Sequence, residues 1–412
     1  MTAARSAREL ALTALREWRG GQRFADAILH DLLAQSALGS SDRAFATELF
    51  YGMLRHLRLL DFWIQQLRRD ALDAATRDLV RLGFLQLLIL ALPSHAALFE
   101  TVELAPARSR GVVNAMLRSA QRKAQQLQAA ADAAPLAIQT SHPDFLVTLW
   151  TRQFGQKSTR QLCQWNNQAP PTYLRVNELK MSRAQFMDCH PTARSAAHPL
   201  FFEFAELPAE ALQRGECYVQ DLSTALACEL LAPRQGENVL DACAAPGGKT
   251  AYLAQLMRNS GSIIATDRTP QRVALLRSNL ARLGVANTRC LTLDWTRAPQ
   301  IDQRFDRVLI DAPCSNSGVM RRRVDVRWRL RPDEFRQMQR EQLALARAVL
   351  PAVKPGGFLV YSTCSIAPEE NEEVVEQLMR SEPDLQLEES RLLLPFRDQT
   401  DGAFAARLRR AG

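Results

Sequence analysis

The chain has 412 residues, 47% hydrophobic and 23% charged, a balance that fits two or three folded domains and excludes a disordered or fibrous protein. Its formal charge of +8 is a thin basic excess, compatible with a polyanionic partner without requiring one. The longest nearly apolar run, Leu82 to Leu92, holds Gln86 and is too short to span a bilayer.

The opening segment Met1 to Arg8 leads into an amphipathic stretch, unlike the apolar core of a signal peptide, so a cytoplasmic protein with no membrane association is expected. Residues 1–135 read as a helical bundle. Phe45, Leu49, Met53, Leu57 and Leu60 recur at helical spacing, as do Leu79, Leu82, Leu85 and Ile89. The Ala-rich stretch from Ala129 to Pro143 reads as a domain exit. Residues 144–235 read as a small connecting α+β subdomain, with a turn cluster at Asn166 to Pro171 and a strand at Tyr173 to Val176. From 236 to 412 strands and helices alternate. Strands are expected at Val239–Ala242, Ser262–Asp267, Arg289–Leu293, Arg307–Ile310 and Phe358–Tyr361. This pattern predicts an α/β, Rossmann-like, doubly wound parallel sheet.

Eight cysteines include no Cys-x-x-Cys pair, so reduced thiols are expected and no metal site. Two cysteines follow strands. Cys314 closes Asp311-Ala312-Pro313-Cys314, and Cys364 lies in Tyr361-Ser362-Thr363-Cys364-Ser365. Ligands of open α/β sheets bind outside such carboxyl ends, and the two strands are expected to be neighbours. For Cys163, Cys189, Cys217, Cys228 and Cys290 the expectation is burial as small apolar residues.

After the first strand, Ala244-Ala245-Pro246-Gly247-Gly248-Lys249-Thr250 forms a glycine turn entering a helix. Cys243 stands where a phosphate-binding loop requires glycine, and the Gly-x-Gly-x-x-Gly pattern is absent. A methionine-bearing nucleoside remains. Asp267, twenty residues past Gly247, can bind a ribose diol or cap the next helix. Asp294 can face the adenine or cap its own turn. Lys249 can lower a thiol pKa, orient a carboxylate, or simply be solvated. Arg321, Arg322, Arg323, Arg327, Arg329 and Arg331, offset only by Asp325, are either a solvated face or a grip on phosphates.

Asp241 to Thr250, Asp311 to Ser315, Ser362 to Ser365 and Pro368-Glu369-Glu370-Asn371 together resemble the RNA 5-methylcytosine methyltransferases. Ala97 to Ala105 and Val112 to Arg118 resemble the end of a NusB-like helical RNA-binding domain. With Leu174-Arg175-Val176-Asn177 and Tyr218-Val219-Gln220-Asp221, the likeness covers nearly the whole chain. It is similar in architecture to bacterial enzymes that modify 16S ribosomal RNA. The resemblance implies S-adenosylmethionine as cofactor, 16S rRNA as partner with cytosine 967 in standard numbering as target, and a monomeric enzyme. It implies Cys364 as the nucleophile on carbon 6, Cys314 as the group assisting release, and Asp311 as the contact to ring nitrogen 3, with Lys249 beside them. It further implies cofactor contacts from Cys243, Ala244, Ala245, Pro246, Gly247, Gly248, Lys249, Asp267, Arg272, Asp294 and Asp311. RNA contacts are expected from Arg321, Arg322, Arg323 and Arg327. Asn316-Ser317, Val324 and Ala403 depart from the family pattern. Another rRNA cytosine, a tRNA, or a role as a non-catalytic RNA-binding assembly factor remain as alternatives.

Overall fold

The structure is a computed structural model that describes residues 6–297 and 301–412. The first five residues, on which the reading of the N-terminus partly rests, lie outside the described residues. The chain divides into two compact units.

The first unit combines the described chain up to Ala169 with a returning segment, Met320–Arg329. It is helical, as the apolar periodicity predicts. Helix Ala7–Arg19 starts where Ser6 accepts a hydrogen bond from the Glu9 backbone, and helix Ala74–Phe84 where Asp73 accepts from Thr76. Leu10, Phe50, Leu60, Leu82 and Leu117 are fully buried in one core with Trp63. The stripe from Phe45 to Leu60 runs across two helices. Helix Ser40–Arg55 ends, His56 turns, and helix Leu57–Leu67 begins. Apolar spacing persists through the break because both helices face the same core. Likewise the second stripe passes from Ala74–Phe84 into a π-helical turn at Leu85–Ile89.

The returning segment corrects the reading of the arginine run. Arg327 is fully buried, and its guanidinium donates to Asn167 Oδ1 at 2.6 Å and to the Asn166 carbonyl at 2.7 Å. Arg321 is buried too, stacked 3.9 Å over the Trp165 ring. Val324 joins the helical core, Asp325 accepts from the Ala25 backbone, and the Trp328 indole donates to the Leu54 carbonyl. Burial excludes Arg321 and Arg327 from gripping phosphates. Arg322 is half-buried and Arg323 exposed. Charge clustering alone does not distinguish a guanidinium facing solvent from one satisfying buried carbonyls.

The second unit holds two sheets. β1 (Thr172–Val176), β2 (Arg194–Ser195), β3 (Phe201–Phe204) and β4 (Cys217–Val219) form an antiparallel sheet in the order β2-β3-β1-β4. β5 (Asn238–Asp241), β6 (Ser262–Asp267), β7 (Thr288–Thr292), β8 (Phe305–Asp311), β9 (Val353–Thr363), β10 (Leu385–Leu393) and β11 (Ala403–Arg410) form a sheet in the order β10-β11-β9-β8-β5-β6-β7. The five strands from β5 to β9 are parallel, as predicted for a Rossmann-like sheet. β11 pairs antiparallel with β9 and with β10, so the sheet is mixed. That hairpin carries Glu388, Glu389, Arg407 and Arg409 among its apolar positions, and the apolar stretch Ala403–Ala406 of β11 is mostly alanine, a weak strand former. Of the cysteines expected to be buried, Cys163, Cys217 and Cys228 are, Cys290 is half-buried, and Cys189 is exposed at the end of the short helix Arg183–Cys189.

Candidate functional site

Strand order reverses between β5 and β8, so the crevice outside the carboxyl ends of β5, β6, β8 and β9 is the topological switch point. Asp241, Asp267 and Asp311 end three of these strands, and Cys364 follows the fourth.

The glycine turn opens the crevice. Gly247 adopts φ +109, a conformation costly for any residue with a Cβ, and then starts helix Gly248–Leu256. A Cβ on Gly248 would come within 2.8 Å of the Tyr218 ring. These positions leave a cleft of about 240 Å³ lined by Tyr218, Gln220, Asp221, Asp241, Lys249 and Asp311, among others. Asp267 is nearly buried. It accepts from the Ala245 backbone at 3.1 Å, the Arg268 backbone at 2.9 Å and Arg272 Nε at 2.7 Å. It does not cap the following helix, which Thr269 does instead. Arg272 also donates to the Ala245 carbonyl, so it braces Asp267 against the turn. Asp294 behaves as the cap: its carboxylate accepts from the backbone and hydroxyl of Thr296, and it pairs with Arg297.

The sequence reading did not single out Asp241, whose signal was only its place at a strand end before the glycine turn. It is fully buried, with Oδ2 accepting from the Thr250 hydroxyl at 2.7 Å and Oδ1 lacking a partner. Burial, with the nearby Asp311 charge, pushes its carboxyl up to about 7. The folded chain therefore holds this proton where the unfolded chain, near 3.8, has lost it. Stability falls as pH rises through that interval. Asp241→Asn should stabilise the protein at pH 8 by on the order of 3 kcal/mol and leave it unchanged near pH 4, as measured by chemical denaturation at both pH values.

Beside the cleft, Lys249 Nζ donates to Asp311 Oδ2 at 2.7 Å and the Ser362 hydroxyl donates to Asp311 Oδ1 at 3.0 Å. Burial opposes the Lys249 charge, but the Asp311 carboxylate outweighs it and raises the ammonium above its ordinary value. Lys249 thus orients a carboxylate and is not a solvated lysine. β8 and β9 are neighbours, and Cys314 Sγ lies 2.8 Å from Cys364 Sγ. The Asn316 amide donates to the Cys314 carbonyl at 3.0 Å, which turns its oxygen toward Cys364 Sγ at 3.2 Å. Contact with Cys364 and then burial push the Cys314 thiol well above its usual value. The crevice thus brings together Cys243 to Lys249, Asp267, Arg272, Asp311, Cys314 and Cys364. Asp294 turns to its own loop. Among the described residues no group of His, Cys, Asp and Glu could hold a metal, and no helix is long and apolar enough to cross a membrane.

A family model for the 16S rRNA methyltransferase RsmB/F matches residues 228–409, one for the NusB family matches 5–122, and one for a RsmF/B-like ferredoxin-like domain matches 142–199. The probable ribosomal RNA small subunit methyltransferase B of Bacillus subtilis strain 168 is 34% identical, with 99% of each chain covered. The chain belongs to the 16S rRNA methyltransferase RsmB/F family. Among solved structures, PH0851 aligns over 100% of both chains at 25% identity with a TM-score of 0.79. A methyltransferase homolog from Pyrococcus horikoshii aligns over 67% of this chain and 97% of its own at 29% identity, TM-score 0.60.

As an RsmB/F-family rRNA methyltransferase, the protein uses S-adenosylmethionine as methyl donor. The crevice fits that group. The unpartnered Asp241 oxygen and the Asp267 carboxylate offer acceptors to a ligand that carries hydroxyls and positive charge. Gly247 and Gly248 keep side chains out of the cradle.

Proposed function

We propose that this enzyme methylates carbon 5 of a cytosine in 16S rRNA, cytosine 967 in standard numbering, through a covalent adduct between Cys364 and carbon 6. The observation that carries this reading is the pair of thiols 2.8 Å apart, flanked by the Lys249–Asp311 ion pair at the mouth of the cofactor crevice.

Carbon 5 of cytosine is too weak a nucleophile to take a methyl group unaided. Addition of the Cys364 thiolate to carbon 6 makes the ring enamine-like, while Asp311 faces nitrogen 3 and neutralises the developing charge. The 2.7 Å hydrogen bond from Lys249 can deliver the proton for that task. The Cys243 to Lys249 turn, with Arg272 bracing Asp267 for a ribose diol, would hold S-adenosylmethionine, which would supply an electrophilic methyl. Cys314, having given up its own proton to solvent, then takes the proton from carbon 5, and the electron pair left behind expels the Cys364 sulfur as a thiolate. The Cys364 contact is the foremost cause of the raised Cys314 pKa. Once Cys364 is bonded to carbon the contact is lost, so the Cys314 thiol can release its proton to solvent and act as the base.

The target base must leave its stack to reach this crevice. The division of labour is a helical RNA-binding domain over residues 1–135, a connecting subdomain over 144–235 whose first part, up to Ala169, belongs to the helical unit, and a catalytic domain over 236–412 that lends Met320–Arg329 to that unit. The enzyme acts as a cytoplasmic monomer, and the exposed Arg323 is the member of the run that faces flanking phosphates. Bisulfite mapping of 16S rRNA from cells lacking this protein, before and after complementation, tests the target. An unmodified cytosine 967 restored on complementation is the expected result, and a 16S rRNA unchanged by the deletion sinks the reading. Asp267→Ala should weaken S-adenosylmethionine binding by about a hundredfold in calorimetry, the loss of a charged acceptor from a pair of hydroxyl donors.

A further inference from the structure

The Pro368 to Asn371 turn carries a fully buried carboxylate, Glu370, that takes no part in the proposed chemistry. Glu370 Oε2 accepts from the Ser315 backbone at 2.8 Å, directly after Cys314. Glu370 Oε1 accepts from the Ser365 hydroxyl at 2.7 Å, directly after Cys364. Gln342, from helix Glu334–Val349, donates to Glu370 Oε2 at 3.0 Å and to the Pro313 carbonyl at 2.9 Å. The Tyr361 hydroxyl and the Asn371 amide lock the turn itself, donating to the Glu370 and Ser365 carbonyls.

One side chain therefore spans the two loops whose cysteines nearly touch. Burying a carboxylate among neutral donors is costly, and an apolar side chain would fill the same space without that cost. Charge-assisted hydrogen bonds, however, are short and directional, and here they fix one loop against the other. We infer that Glu370 is a positioning residue that sets the separation of Cys314 and Cys364. It contacts neither sulfur, and it does not line the cofactor cleft.

This inference rests on the two-thiol reading of the reaction, so its test includes a measurement that needs no RNA. Phenylarsine oxide bridges two thiols only when they are held a few ångströms apart. In the full-length protein, Glu370→Ala and the shorter Glu370→Asp should both lose the span and weaken arsenical bridging by about tenfold, the loss of a pre-paid effective concentration. Single-turnover methylation should fall about a hundredfold in the same variants, as expected when reacting groups shift by about an ångström. Affinity for S-adenosylmethionine should stay within about twofold, because the cofactor lies outside this network. Glu370→Gln should recover most of both losses. Its amide oxygen can face Ser315 and Gln342 while its amide nitrogen donates to Ser365. Unchanged bridging in Glu370→Asp, or cofactor affinity falling in step with the rate, overturns the inference. If bridging weakens as expected but Cys364→Ala still methylates, the fault lies in the proposed reaction and not in the positioning role.

Discussion

Cys364→Ala should leave no measurable methylation, a loss of at least about 10⁴-fold, and should form no covalent species with RNA. Cys314→Ala should give the opposite trace and accumulate a protein–RNA complex that survives denaturing electrophoresis, because on the proposed reaction the adduct forms and cannot resolve. The asymmetry follows from the division of roles within the thiol pair. The two sulfurs lie 2.8 Å apart, so one can attack the ring while the other stands beside the adduct to resolve it, and the proposed roles give attack to Cys364 and release to Cys314. Labelled rRNA substrate and gel mobility distinguish the two variants in one experiment. Exchange of the two phenotypes would reverse the role assignment, and full activity in both would end the covalent mechanism.

The second large effect lies in the helical unit. Arg327→Ala strips the donor from the Asn166 carbonyl and the Asn167 side chain and leaves a void where a fully buried guanidinium lay. A loss of about 3 kcal/mol is expected, the sum of unsatisfied acceptors and a cavity. Arg323→Ala, at an exposed position four residues away, should change stability by less than about 0.5 kcal/mol. Hydrogen exchange at the Asn166–Gln168 amides reports the difference locally. Unchanged exchange in Arg327→Ala, together with a reduced salt dependence of RNA binding, would return that arginine to the phosphate-contact role.

Three of the parallel strands, β5, β6 and β8, were legible because each holds a short, nearly continuous apolar run ending in Asp, at Asp241, Asp267 and Asp311, and a crevice at their ends follows from topology alone. The pairing of Cys314 with Cys364 was legible for the same reason. What could not be read depends on where a side chain goes once the chain has folded. Asp294 and Asp267 both end or follow strands, yet one caps Trp295–Arg297 while Thr269 relieves the other of capping. Asp241 looked like part of a strand until burial left one of its oxygens without a partner. Glu370 lies among three other acidic residues between Glu369 and Glu373, and only the fold distinguishes the buried one. The β10–β11 hairpin escaped notice because β10 mixes charged with apolar positions and the apolar stretch of β11, Ala403–Ala406, is mostly alanine, a weak strand signal.

The return of Met320–Arg329 into the helical unit makes the chain topologically indivisible. No single cut yields two self-sufficient fragments. A piece beginning at Pro170 would carry Val324 and Arg327 with nothing to bury them, a sticky strap only a few residues from Cys314. The complementary piece ending at Ala169 would present an open trough of apolar atoms and unanswered carbonyls. Separately expressed halves should therefore be poorly soluble. A synthetic peptide spanning 320–329 should rescue the N-terminal half in trans.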